Sequence, residues 1–313
     1  MHSQLPAHRC SDSGLWVVKS TSVISTMADD KYLVYHGLML PKIVHSEESL
    51  KHFETFEFRD DDVLALTYPK SGTTWMQEIL PLLMNGGDTS PVKTVPNWDR
   101  VPWLEELRAA EVLSSMPSPR IMVSHMPYHL MPKSLFSSKA KVIYVTRNPK
   151  DVLVSSFHFH KMASFLDDPG TFDEFLDKFL EGEVMFGKWT DHVKSWQKTY
   201  MEDRIFHVTY EEMLKDLKGV LSRMSRFLGK DLSDEILEQV ASHCSFKSMK
   251  DNAMSNYSLV PQDIMDNTKS PFMRKGIAGD WKKHFNPEQE AKFTDAMKRE
   301  MRDNCNKITW DED

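Results

Sequence analysis

The chain has 313 residues, 40% of them apolar and 11% aromatic, with a formal net charge of −7. This is enough apolar material for a substantial core, and the acidic balance argues against wholesale nucleic-acid binding, so a polyanion site has to be a local cluster of Lys and Arg. The cysteines Cys10, Cys244 and Cys305 share no metal or redox spacing and build no disulfide framework, and no run approaches the about eighteen apolar residues of a membrane span, so a cytosolic enzyme is expected.

Residues 1–26 hold few acids and no apolar block of a secretory signal, and read as an extension without structure ahead of one domain over residues 27–313; Met27-Ala28-Asp29-Asp30 reads as a second start. The first strong element is the apolar run Val63 to Thr67, a predicted strand. After it come Tyr68-Pro69-Lys70-Ser71-Gly72-Thr73-Thr74-Trp75 and a helical pattern of Trp75, Met76, Ile79, Leu80, Leu83 and Met84, kinked by Pro81. A strand that turns into a helix N-terminus, relieved of bulk by Gly72 and supplied with hydroxyls by Ser71, Thr73 and Thr74, is an anion cradle. In the nucleotide-hydrolysing P-loop the lysine follows the glycines and the last hydroxyl holds magnesium. Here Lys70 precedes Gly72, which suggests a cradle for a different phosphoryl-like group.

Further strands are predicted at Ile121 to Ser124, Lys141 to Thr146 and Ile205 to Thr209, separated by helical patterns. The fold class that follows is α/β, a central parallel sheet flanked by helices on both faces, in one domain without repeats or linkers. Ligands then belong at the carboxyl ends of the strands, where Tyr68-Pro69-Lys70, His125, Arg147 and Tyr210 gather. Residues 172–180, 211–228 and 287–301 read as surface helices. The weakly patterned residues 252–274 read as a lid or binding loop. His158 and His160 are two apart on a helix and point to different faces, which favours a structural role over a metal pair. A last basic cluster, Arg274-Lys275-Gly276-Ile277-Ala278-Gly279-Asp280-Trp281-Lys282, places two cations beside a glycine that lets backbone approach a ligand.

Taken together, Tyr-Pro-Lys-Ser-Gly-Thr-Thr-Trp, Arg147 to Ser155 and Arg-Lys-Gly-x-x-Gly-Asp-Trp-Lys resemble the cytosolic sulfotransferases over most of the chain. The resemblance implies 3'-phosphoadenosine 5'-phosphosulfate (PAPS) as donor, adenosine 3',5'-bisphosphate (PAP) as product, and no metal. It places Lys70, Ser71, Gly72, Thr73 and Thr74 around the 5'-phosphosulfate, with Lys70 on the oxygen that bridges phosphate and sulfur. Arg147, Ser155, Arg274, Lys275 and Gly276 fall to the 3'-phosphate, and Trp75, Tyr210, Cys244, Phe246, Phe272 and Met273 to the nucleotide. Ser155 and Lys70 join His125 as catalytic residues. His125 is the implied base, suited by an ordinary pKa near 6.5. Val123, Trp103, Phe159, Tyr257 and Ile264 are the implied acceptor box, suited to a phenol, a steroid-like alcohol or an arylamine.

Two departures stand out. Val123 occupies a position where many members carry Lys, and Cys244 one where Thr is common. The family's dimer motif is degraded at Asn286, Pro287 and Ala291 after Lys282, which leaves a homodimer in doubt. The competing readings are a non-catalytic nucleotide-binding member of the fold and an ATP-dependent small-molecule kinase. The second needs a lysine after the glycines, which the cradle lacks.

Overall fold

The computed structural model describes residues 25–26, 31–197, 199 and 201–302. The expected extension and second start, Cys10 and Cys305 lie outside them, save Ser25 and Thr26. Those two form β1 (Ser25–Thr26), which pairs antiparallel with β2 (Tyr32–Tyr35), itself paired with β3 (Leu38–Pro41). This small sheet was not expected from the sequence. Its hairpin turns at His36 and Gly37, both at positive φ (48° and 84°), the backbone of a two-residue turn that matches strand twist.

The main sheet consists of β4 (Val63–Thr67), β5 (Ile121–Ser124), β6 (Lys141–Thr146) and β7 (Ile205–Thr209), in the order β5-β4-β6-β7 and parallel throughout. All four lie where the apolar runs placed them. Every residue of β4 is buried, as expected of a parallel strand covered on both faces. Strand alternation divides the core. Leu64, Leu66, Val142 and Tyr144 join the cluster of Phe53, Leu104 and Trp196 on one face, while Ala65, Ile143 and Val145 join Met76, Ile79 and Leu221 on the other. Beside the sheet, Tyr68, Leu153, Phe175, Trp189 and Phe293 form a third cluster.

The helix Thr73–Met84 follows the cradle and carries Pro81 inside it. Helices Phe172–Glu181 and Pro287–Glu300 match their predicted spans within one residue. The span 211–228 is two helices, Tyr210–Lys215 and Leu217–Phe227. Asp216 divides them: its extended backbone ends the first, and its carboxylate accepts from Gly219 N–H to cap the second. No helix or strand is assigned between Asp251 and Asp280, so the predicted loop is present. It is pinned to the body. Ser164 N–H donates to Ile264 O and Asp266 N–H to Met162 O, and the buried Glu78 carboxylate gathers Arg100, His243 and Ser255. Among the described residues no helix is long and apolar enough to cross a membrane.

Candidate active site

The carboxyl ends of β4, β5 and β6 open on one cavity of about 600 Å³. At its floor the chain leaves β4 through Lys70 (φ 68°) and Gly72 (φ 117°) before entering the helix Thr73–Met84. A Cβ on Gly72 would stand 3.3 Å from the Tyr210 ring on a backbone L side chains rarely adopt. The first N–H groups of that helix have no intrahelical acceptor and offer themselves to an anion. Three of the four non-glycine residues at positive φ among the described ones, Lys70, Phe186 and Tyr257, line this cavity, and strained backbone of this kind concentrates at ligand sites.

One half of the cavity is cationic. The Arg147 guanidinium donates to Lys70 O (3.0 Å) and Ile277 O (3.3 Å) and lies 4.3 Å from the Tyr210 ring centre, while its Nε is buried without a partner. Asp280 receives Arg274 and Lys275, each at 2.6 Å. Burial pushes the Asp280 carboxyl up, but Lys275 and Arg274 together outweigh it and hold the group down at about 2. Asp151, on the helix Pro149–Met162, accepts from Gly279 and Trp281 N–H and so fixes the basic loop against that helix. Gly276 (φ 63°) passes so close to Phe246 that any Cβ would overlap its ring. Trp75 donates its indole N–H to Cys244 O at 2.9 Å and meets Tyr210 edge-on, ring centres 5.3 Å apart. The Lys70 ammonium lies 3.9 Å from the Phe159 ring and 4.6 Å from that of Phe272. Burial, then Arg147 and Arg274, lower its pKa to about 7.

The other half is aromatic and centres on His125. Its Nδ1 lies 2.7 Å from Thr67 O; a carbonyl only accepts, so Nδ1 carries the proton and Nε2 keeps its lone pair. The His125 backbone N–H donates to Glu105, 2.8 Å away. Trp103 and Phe186 flank the imidazole, ring centres 4.5 Å and 5.0 Å away. Burial lowers the imidazole pKa to about 3 in spite of the bond to Thr67 O, and Lys70 adds to the depression. The ordinary value near 6.5 assumed from the sequence does not hold: a ring sealed by aromatics is not solvated when charged. Burial likewise raises Glu105 to about 7. The two halves meet at Thr67, whose hydroxyl is 2.6 Å from that of Thr73 in the cradle and 3.2 Å from His125 Nδ1.

Of the residues implicated by the sequence, Lys70, Gly72, Thr73, Thr74, Trp75, Arg147, Ser155, Tyr210, Cys244, Phe246, Phe272, Met273, Arg274, Lys275 and Gly276 line the cavity, as do Trp103, His125, Phe159, Tyr257 and Ile264. Two do not. Ser71 is buried beneath the turn with its Oγ unpartnered. Val123 is fully buried in the core beside Ala65 and Ile143, and the Pro102–Leu104 segment pairs with it through backbone bonds along the sheet edge; it does not line the cavity. Lining residues that the sequence did not reveal include Ile43, His45, Trp98, Glu106 and Phe186, most of them on loops without periodicity. His158 pairs with His284 (Nε2 to Nε2 3.2 Å) and His160 bonds to Asp167 O. Among the described residues no three His, Cys, Asp or Glu side chains come together as a metal site. Asn286 and Pro287 open the C-terminal helix, Asn286 as its cap.

Comparison with known proteins decides the family. Residues 60–305 match the family described as the sulfotransferase domain. This chain is a sulfotransferase. It is 46% identical to sulfotransferase 2B1 of Mus musculus over 294 residues, covering 94% of this chain and 87% of that protein. It is 41% identical to the 3-beta-hydroxysteroid sulfotransferase of Cavia porcellus over 273 residues, 87% of this chain and 95% of that one. The crystal structure of mouse sulfotransferase SULT7A1 complexed with PAP superposes with a TM-score of 0.73 at 31% identity, covering 86% of this sulfotransferase and 94% of that chain.

Proposed function

We propose that residues 27–313 form a cytosolic PAPS-dependent transferase that moves a sulfuryl group to the hydroxyl or amine of a small hydrophobic acceptor. The observation that carries this reading is the Thr67 hydroxyl, in contact with both the cradle at Thr73 and the base His125. An anion site and a proton acceptor that share one side chain are spaced for a direct transfer between two bound molecules.

The residues fit the donor. Gly72 and Gly276 let the backbone lie against the Tyr210 and Phe246 rings, where a Cβ would crowd them, and the Arg147 Nε is buried without a partner. The cradle from Lys70 to Thr74 would hold the 5' end. Arg147, Ser155, Arg274, Lys275 and Gly276 would hold the 3'-phosphate, and Trp75, Tyr210 and Phe246 would enclose the adenine. When bound, the donor supplies an activated sulfuryl group. Lys70 neutralises charge on the leaving phosphate oxygen, and His125 Nε2 takes the acceptor's proton. Lys70 would hold the negative phosphosulfate end of the donor near His125, which would favour a charged imidazole and offset the depression of its pKa. Such a transfer uses protein cations where nucleotide hydrolysis uses magnesium. The mouse relative crystallised with PAP supports the donor assignment, and the hydroxysteroid relative supports a steroid-like alcohol among the acceptors.

Thermal unfolding with PAP in EDTA tests the donor site: stabilisation is expected without metal, and a requirement for ATP and magnesium would point to the kinase instead. Sulfate transfer from radiolabelled PAPS to a panel of phenols, sterols and arylamines tests turnover; donor binding with no transfer to any acceptor would leave a non-catalytic member of the fold.

A further inference from the structure

The cavity is electrically lopsided. Lys70, Arg147, Arg274 and Lys275 crowd its donor half, whereas Glu106 is the one carboxyl group among the described residues lining it, and it lies in the acceptor half. Glu106 is held there by its backbone. The segment before it runs alongside β5 through Leu104 N–H to Val123 O (2.9 Å) and Val123 N–H to Pro102 O (3.0 Å), and Leu107 N–H bonds Val44 O (2.9 Å) just after it. Three residues earlier in this turn is Trp103, whose ring lies against that of the base His125.

Among the described residues no cation pairs with this carboxyl and none hydrogen-bonds it; Arg108, which lines the same cavity, is paired with Asp99 at 2.6 Å. The groups facing Glu106 are Glu105 in its own segment and Tyr257 from the long loop, with His45 and His125 lining the same cavity. None of these is a cation at neutral pH, since burial lowers both imidazoles. The walls are aromatic. Trp98 and Tyr257 meet at 5.3 Å and, with Trp103, surround the acid with indole and phenol rings. A carboxyl group inside aromatic faces is the chemistry that receives an ammonium group.

The geometry points to Glu106 as the acceptor-selecting residue of this site: it pairs with a protonated amine carried by an acceptor whose hydroxyl is presented to His125, so that basic amino-phenols or amino-alcohols are preferred over neutral acceptors of the same shape. This rests on the transferase reading above, because the cavity is taken as an acceptor site. Burial and the neighbouring Glu105 raise the pKa of Glu106. An entering ammonium favours the ionised carboxylate, so binding strengthens as pH rises through that raised pKa, up to the pKa of the amine itself.

Calorimetric titration of the PAP complex with tyramine and with 4-ethylphenol, a matched pair differing by the ammonium group, tests this. The intact protein is expected to bind tyramine about tenfold more tightly than 4-ethylphenol, the scale of one charge-assisted bond. Glu106→Gln should abolish that ratio and the pH dependence, and Glu106→Asp should keep part of both. PAP binding reports that each variant is folded. An equal preference in the intact protein and Glu106→Gln, or no preference in the intact protein, overturns the inference. Sulfate transfer measured on the same samples separates the two levels: an ammonium preference without transfer would remove the transferase reading and leave the role of Glu106 standing.

Discussion

The two halves of the cavity are built by opposite means. The donor half comes from contiguous motifs at strand ends, with cations locked by Asp280 and backbone carbonyls and the basic loop anchored by Asp151. The acceptor half is assembled from loops and rings contributed by residues as far apart as His45, Trp98, Phe186 and Tyr257. Charge recognition needs a few fixed donors and tolerates little variation, whereas apolar recognition needs only a shaped wall that many side chains provide. A fold can therefore keep one donor and change its acceptor.

Mutations should separate the halves. The largest effect is expected from His125→Ala: turnover falls at least about a hundredfold while PAP affinity stays within about twofold, and near-normal turnover would remove His125 from the mechanism. Arg274→Ala should do the reverse, weakening PAP binding by about tenfold or more through loss of a charged hydrogen bond with a smaller change in turnover at saturating donor. Unchanged affinity in a titration would count against the 3'-phosphate assignment. Because the Lys70 pKa lies at about 7 in the empty site, its charge is present below that pH and lost above it. PAP affinity should accordingly decline as pH rises through neutrality, and Lys70→Met should flatten that dependence; equal slopes would exclude Lys70 as its source. The smallest effect belongs to Trp98→Ala, with acceptor KM raised by about three- to tenfold from lost ring contact and PAP binding unaltered. A loss of PAP affinity there would show that the halves are coupled.

The four parallel strands and the cradle were legible because a continuous apolar run ending in a polar turn has few other meanings in an α/β chain. The basic loop was equally plain, since Arg274 and Lys275 follow one another in sequence. The antiparallel sheet escaped because its short strands lack clear alternation and its turn uses His36 where asparagine is usual. Trp98, Glu106 and Phe186 escaped because tertiary packing alone brings them to the cavity. Val123 was misplaced for a related reason: alternation along β5 shows which residues share a face, but not which face opens on the cavity. The low pKa of His125 is likewise a property of its enclosure, which composition does not reveal.

Asp280 gives the donor half a further quality. By gripping Arg274 and Lys275 before any ligand arrives, it fixes two long side chains whose freedom would otherwise be lost at binding. The same carboxylate remains beside the seat proposed for the 3'-phosphate and repels it. For the donor proposed above, the cations would thus be aimed before binding, while Asp280 would compete with the 3'-phosphate for them.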